Sequence, residues 1–185
     1  MENLLSILPV LATDLSLTDF TFWIGFAAMF ASTLFFFSAM NLVADKWKTS
    51  MLVSALITGI AALHYYYMRN AAMEGDITTA YRYVDWILTV PLMCVEFYLI
   101  LKPSGATKSL LWKLIGLSVV MLVTGYFGEA GIGPLDAQLW GLVSGLAYFW
   151  ILYEVAMGGA AQLAKSAGGN VESAHKMLVK FVFIG

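Results

Sequence analysis

The chain has 185 residues, of which 61% are hydrophobic and 12% charged, with a formal net charge of −2 and a mean hydropathy of +0.80. Soluble domains average about 45–50% apolar and about 25% charged residues, so the composition excludes an ordinary soluble domain and indicates an integral membrane protein. No basic patch suits nucleic acid, and the single cysteine, Cys94, excludes an intrachain disulfide.

The opening MENLLSILPVLA carries Glu2 but no Lys or Arg, which makes a poor signal peptide, and residues 1–17 are expected to form an extramembrane N-terminal segment. After the start signal Ser16/Thr18/Asp19, spans are expected over about 18–43, 49–69, 78–102, 107–127 and 134–158. NAAMEGD, KPSGATK and the Gly-rich turn around Glu129 separate the later ones. GGAAQLAKSAGGN reads as a small-residue loop, and a sixth helical pattern begins near residue 171. The expectation is an all-α membrane bundle in one domain, with five complete helices and the start of a sixth.

Lys46, Lys48, Lys102, Lys108, Lys113, Lys165, Lys176 and Lys180 fall in or beside the first, third and fifth connections, whereas the second holds only Arg69 and the fourth no basic residue. The positive-inside rule then puts the lysine-bearing loops in the cytoplasm and the N-terminus outside.

The third span, YRYVDWILTVPLMCVEFYLILK, contains Arg82, Asp85 and Glu96. A charge at mid-membrane costs roughly 2.5–3.5 kcal/mol on the lenient insertion scale, so such residues normally have a task. Arg82, Asp85, Thr89 and Glu96 share one helical stripe, and the two carboxyls lie about 16 Å apart along the axis. Arg82, one turn away, would favour an ionised Asp85, able to serve as counter-ion to a buried cation and then accept a proton. Glu96, among apolar neighbours, would be held neutral. Two carboxyls so differentiated suggest acceptor and donor stations on a proton path. A structural ion pair is the bland alternative.

His64, five residues before Arg69, should lie at the depth of Asp85. It reads equally as a proton-sharing partner or as a member of an aromatic belt with Tyr65, Tyr66 and Tyr67. Glu129 and Glu154, near span ends, suit solvated or loop-pairing roles. Trp86, Tyr83, Tyr148, Met93 and Met121 could wall a flat apolar ligand, although such stripes are more often plain packing. Gly141 and Gly145 form a GxxxG, whose usual meaning is close helix approach. No Walker sequence, HExxH, nucleophile elbow or metal-spaced Cys/His cluster occurs, so neither a hydrolase nor a metal site is expected.

RYVDWILTVPLMCVEFYLIL resembles the third helix of the microbial rhodopsins, specifically the proteorhodopsin and xanthorhodopsin group, with support from KWKTS, TGIAALHYYYMR, GYFGEAG and WILYE. The resemblance implies a seven-helix bundle and a light-driven outward proton pump, a transporter rather than an enzyme, in the cell membrane. By resemblance, all-trans retinal is its chromophore, bound as a protonated Schiff base. Asp85 is then the counter-ion and proton acceptor, Thr89 and Glu96 complete the Asp–Thr–Glu pattern with Glu96 as donor, His64 is the acceptor's partner, and Arg82 lies below the Schiff base. That pattern separates proton pumps from sodium-pumping relatives.

Trp86, Met93, Met121, Gly125, Ser144 and Tyr148 match the retinal pocket, and an apolar Met93 resembles green-absorbing members. Gly141 matches the position left open in carotenoid-binding members, which implies a carotenoid antenna. Trp23 and His64 resemble residues at protomer contacts, which implies a homo-oligomer in the bilayer. The departure is the end of the chain: the family's retinal lysine lies in a seventh helix, and the eight lysines here all accompany connections. A truncated or partly represented pump is the expectation, with a sensor signalling to a partner, or a non-photoactive fragment, as alternatives.

Overall fold

A computed structural model of the chain describes residues 17–74 and 78–184, so the N-terminal segment, the Ser16 start signal and Asp76 lie outside the described residues. Among the described residues the architecture is helical throughout, without strands: α1 (Leu17–Ala39), α2 (Asp45–Met73), α3 (Thr79–Leu101), α4 (Lys108–Ala130), α5 (Ala137–Ala156), α6 (Gly159–Ala167) and α7 (Gly169–Ile184). The expected five spans are present as helices long and apolar enough to cross a membrane.

Local chemistry sets the helix ends. The Thr107 hydroxyl accepts from Leu110 N at the start of α4, and the Asp136 carboxylate accepts from Leu139 N at 2.8 Å at the start of α5. After α3 a 3-10 turn over Lys102–Ser104 closes at Gly105, whose φ of 95° is a left-handed conformation that glycine adopts without steric cost.

Several expected boundaries move. The first span ends at Ala39 rather than residue 43, and α2 begins at Asp45 and continues through Arg69 to Met73. Its 29 residues reach about 43 Å, more than a hydrocarbon core of about 30 Å, so both polar ends of α2 extend beyond the apolar layer. The segment expected as a loop after α5 contains helix α6, and the next helix starts at Gly169. Ala, Gln, Leu and Lys are good helix formers, and Ala160, Ala161 and Ala164 bury one face of α6. The glycines are punctuation at its ends: Gly168 and Gly169 have φ of 62° and 52°.

Each spanning helix packs on the next in sequence, and α7 returns against α3 and α5. The tightest core joins Phe97 and Leu101 of α3, Leu114 of α4, Val155 of α5 and Ala160 and Ala164 of α6, at the lysine-bearing end. Outward faces are apolar: Phe35 is 65% exposed and Phe149 64%. In water such faces would drive association, whereas hydrocarbon solvates them without cost. A Cβ at Gly141 or Gly145 of the α5 GxxxG would meet nothing within 4 Å, although the α5 backbone at Gly141 N lies 3.6 Å from where a Cβ on Gly128 of α4 would stand. Close approach also occurs at Gly25, where a Cβ would stand 2.9 Å from the Tyr65 ring.

Candidate functional site

Asp85 is buried on α3 facing α2, where His64 brings Nδ1 to 3.5 Å from Asp85 Oδ1. The same Nδ1 lies 2.9 Å from Ile60 O, so with its proton on Nδ1 the imidazole donates within its own helix and only approaches the carboxylate. Asp85 Oδ1 is therefore a buried acceptor without a hydrogen bond among the described residues. Thr89, one turn on, is buried as well, but its hydroxyl donates to the Asp85 backbone carbonyl at 2.9 Å rather than to the carboxylate. His64, Asp85 and Thr89 thus come together as the spacing indicated.

Eleven residues further along α3, Glu96 is half-buried and turned to α2 as well. Ser54 Oγ donates to Glu96 Oε1 at 2.5 Å, with Ser50 Oγ at 3.5 Å. These serines were not singled out in the sequence. Their signal was available, since Ser50 and Ser54 are one turn apart within an apolar span and so share a face. Pro91 lies within α3 between the two carboxyls and does not interrupt it.

Arg82 departs from the expectation that helical adjacency would pair it with Asp85. Its guanidinium turns to α4 and ion-pairs with Glu129, which also accepts from Thr79 Oγ1 at 3.0 Å. The guanidinium also lies 5.6 Å from the Trp86 ring centroid. Spacing fixed the helix face but not the choice between two acids, and an arginine side chain is long enough to reach the neighbouring helix. Glu129 does make a pairing contact near a span end. Glu154, by contrast, is buried rather than solvated: it accepts from Lys113 Nζ at 3.3 Å and from Gly159 N at 3.1 Å, joining α4, α5 and α6.

The aromatic wall beside Asp85 is built from three helices. Tyr83 packs against Trp86 and Tyr126, with centroids at 5.1 and 5.3 Å. A Cβ at Gly125 would stand 3.1 Å from both Tyr83 OH and Ser144 Oγ, so this position admits no side chain without displacement. Ser144 Oγ donates to Met121 O at 2.8 Å. Met93 is half-buried on α3. Tyr148 is committed elsewhere, donating to Val182 O of α7 at 2.9 Å. Among the described residues no His, Cys, Asp or Glu cluster could hold a metal ion.

Together these features define a polytopic helical membrane protein with two inward-facing carboxyls on one helix. Residues 16–185 match the family model described as bacteriorhodopsin-like protein. The chain is 44% identical over 177 residues to the green-light absorbing proteorhodopsin of Gamma-proteobacterium EBAC31A08, covering 93% of this chain and 70% of that protein. It is 43% identical over 178 residues to the blue-light absorbing proteorhodopsin of Gamma-proteobacterium Hot 75m4, with the same coverage. Among solved structures, blue light-absorbing proteorhodopsin from Med12 superposes with a TM-score of 0.72 at 40% identity, covering 88% of this chain and 74% of that one. Exiguobacterium sibiricum rhodopsin gives 0.78 at 34% identity, covering 90% and 74%. This chain belongs to the bacteriorhodopsin-like family of microbial rhodopsins.

The family implies a retinal chromophore, and the residues present fit one. Asp85 offers a buried carboxylate oxygen without a hydrogen bond, which suits a cationic N–H partner. At the α3–α4–α5 contact, Tyr83, Trp86, Gly125 and Ser144 form a largely aromatic wall with two hydroxyls, in keeping with a small-molecule site.

Proposed function

We propose that the chain is the main part of a light-driven proton pump that moves protons outward, from the lysine-bearing side to the side of the N-terminus. The observation that carries this reading is the placement of both α3 carboxyls against polar side chains of α2, Asp85 near His64 and Glu96 bonded to Ser54, at two depths of one helix face. Retinal, when bound, supplies light absorption and a proton-bearing nitrogen whose proton affinity changes on illumination.

Asp85 acts as counter-ion and takes the proton at its Oδ1, which holds no competing hydrogen bond. His64, 3.5 Å away, steadies the charge change at Asp85. Glu96 keeps a proton in reserve, with Ser54 ready to donate to the carboxylate left behind. Arg82, held by Glu129, keeps positive charge on the N-terminal side of Asp85. Trp86, Met93, Met121, Gly125 and Ser144 would line the retinal, with the ring of Tyr148 beside them while its hydroxyl stays bonded to Val182 O, and Met93 would favour green absorption.

A carotenoid antenna is a second element of the proposal. Gly141 is exposed on α5 and has open space where a side chain would stand, which supports a lateral opening toward lipid. Trp23, 39% exposed on α1, supports contacts between protomers in the cell membrane.

Light-driven acidification by cells that make the protein and are supplied with all-trans retinal tests the reading. Acidification abolished by a protonophore separates a pump from a sensor, which would give none. Carotenoid bands in the action spectrum, lost in Gly141→Trp, test the antenna.

A further inference from the structure

Between helices α5 and α7, at the lysine-bearing end, lies a cleft in two adjoining parts. Its apolar part, about 460 Å³, is walled by Phe149, Leu152, Tyr153 and Phe183. Its mouth, about 220 Å³, is bordered by Lys165, Glu172, His175 and Lys176. The two parts share Ala156, Val179 and Lys180, so an apolar space adjoins a charged one. Small side chains make the room: Ala156, Ala161 and Ala164 stand where larger residues would fill the mouth.

Charge is unbalanced at that mouth. Lys176 is neutralised by Glu172 at 2.6 Å, whereas Lys165 and Lys180 have no ion-pair partner among the described residues. The mouth therefore carries a net charge of about +2 beside an apolar groove, which attracts anions. His175 adds a second, independent feature. Its side chain is 3% exposed and Nε2 lies 2.7 Å from Val155 O, a geometry that puts the proton on Nε2. Nδ1 is then a buried acceptor with no partner, a costly arrangement unless something donates to it.

The shape and charge select one class of occupant. A soluble anion would satisfy the lysines and leave the apolar groove empty. A zwitterionic lipid would fill the groove and leave two cations unmatched. From Phe149 to Ala156 the groove follows about 10 Å of helix axis, enough for a substantial part of an acyl chain. We propose that the α5–α7 cleft binds one anionic glycerophospholipid. Its phosphate sits between Lys165 and Lys180, and one acyl chain lies along Leu152, Tyr153 and Phe183. The bound lipid ties α7 to α5 at the end of the bundle where the tightest core lies.

The test is native mass spectrometry of the purified full chain in detergent with added phosphatidylglycerol or phosphatidylcholine. It is run on the wild type, on Lys165→Gln/Lys180→Gln, and on Lys46→Gln/Lys48→Gln as a control at the same end of the bundle. The site predicts a single phosphatidylglycerol adduct, preferred at least about tenfold over phosphatidylcholine. The first pair of substitutions weakens it about thirtyfold and the control pair leaves it unchanged, as expected for roughly 1 kcal/mol per lysine near an anionic headgroup. Equal retention of both lipids, or equal weakening by both pairs, overturns the proposal. Displacement by excess inorganic phosphate also overturns it, because the site would then recognise a free anion rather than a lipid.

Discussion

His64 and Asp85 face one another across the α2–α3 contact, with Nδ1 3.5 Å from Oδ1, while the same nitrogen stands 2.9 Å from Ile60 O. The imidazole is thus oriented by its own helix and leaves the carboxylate oxygen without a hydrogen bond. On the proposed roles, Asp85→Asn removes the counter-charge and the proton acceptor together. The expected result is a red-shifted absorption band with no light-driven acidification, read by visible spectroscopy and a pH electrode. An unshifted band with normal pumping would remove Asp85 from both roles.

Glu96→Gln should preserve the dark spectrum and slow the late photocycle, with added azide restoring part of the rate by carrying protons in place of the lost carboxyl. Ser54→Ala removes the 2.5 Å donor to Glu96, an interaction with a carboxyl group worth about 1.5–3 kcal/mol when the acceptor is charged. Flash photolysis should then show slower proton release from Glu96, with the acceptor step at Asp85 untouched. Equal slowing of both steps would point to a general packing defect.

The two acids near span ends should behave differently on thermal unfolding. Glu154 has an 8% exposed side chain and joins three helices, so Glu154→Ala should cost about 1–2 kcal/mol by orphaning Gly159 N and freeing Lys113. Arg82 and Glu129 are 38% and 40% exposed, and solvent screening holds such a pair to about 1 kcal/mol or less. Glu129→Gln should therefore leave the melting temperature nearly unchanged. A larger loss for Glu129→Gln than for Glu154→Ala would reverse this ranking.

Gly125→Ala should shift the absorption maximum and reduce chromophore uptake, because the new methyl group would stand 3.1 Å from Tyr83 OH and Ser144 Oγ. Titration with all-trans retinal measures both effects. Gly145→Ala, with open space around the added carbon, is the matched control and should change neither.

Much of this arrangement was legible in the sequence, for physical reasons that can be named. Spans follow from runs of apolar residues, because backbone polar groups in hydrocarbon must be satisfied within a helix. The stripe of Asp85, Thr89 and Glu96 follows from helical geometry alone. Periodicity does not reveal which neighbouring helix a long side chain reaches. Arg82 therefore pairs with Glu129 instead of Asp85, and Ser54, a modest residue in an apolar span, becomes the nearest donor to Glu96. The segment Gly159–Ala167 was misread because its flanking glycines dominate the composition, although the alanines between them favour a helix that buries one face.

The most direct test of the central claim is light-minus-dark infrared difference spectroscopy in the carboxyl stretching region, on the retinal-loaded protein and its Asp85→Asn and Glu96→Gln variants. The account predicts one carboxyl band that appears after illumination and is absent in Asp85→Asn. A second band should disappear later and be absent in Glu96→Gln. Carboxyl bands unchanged in both variants would contradict the assignment of Asp85 as acceptor and Glu96 as donor.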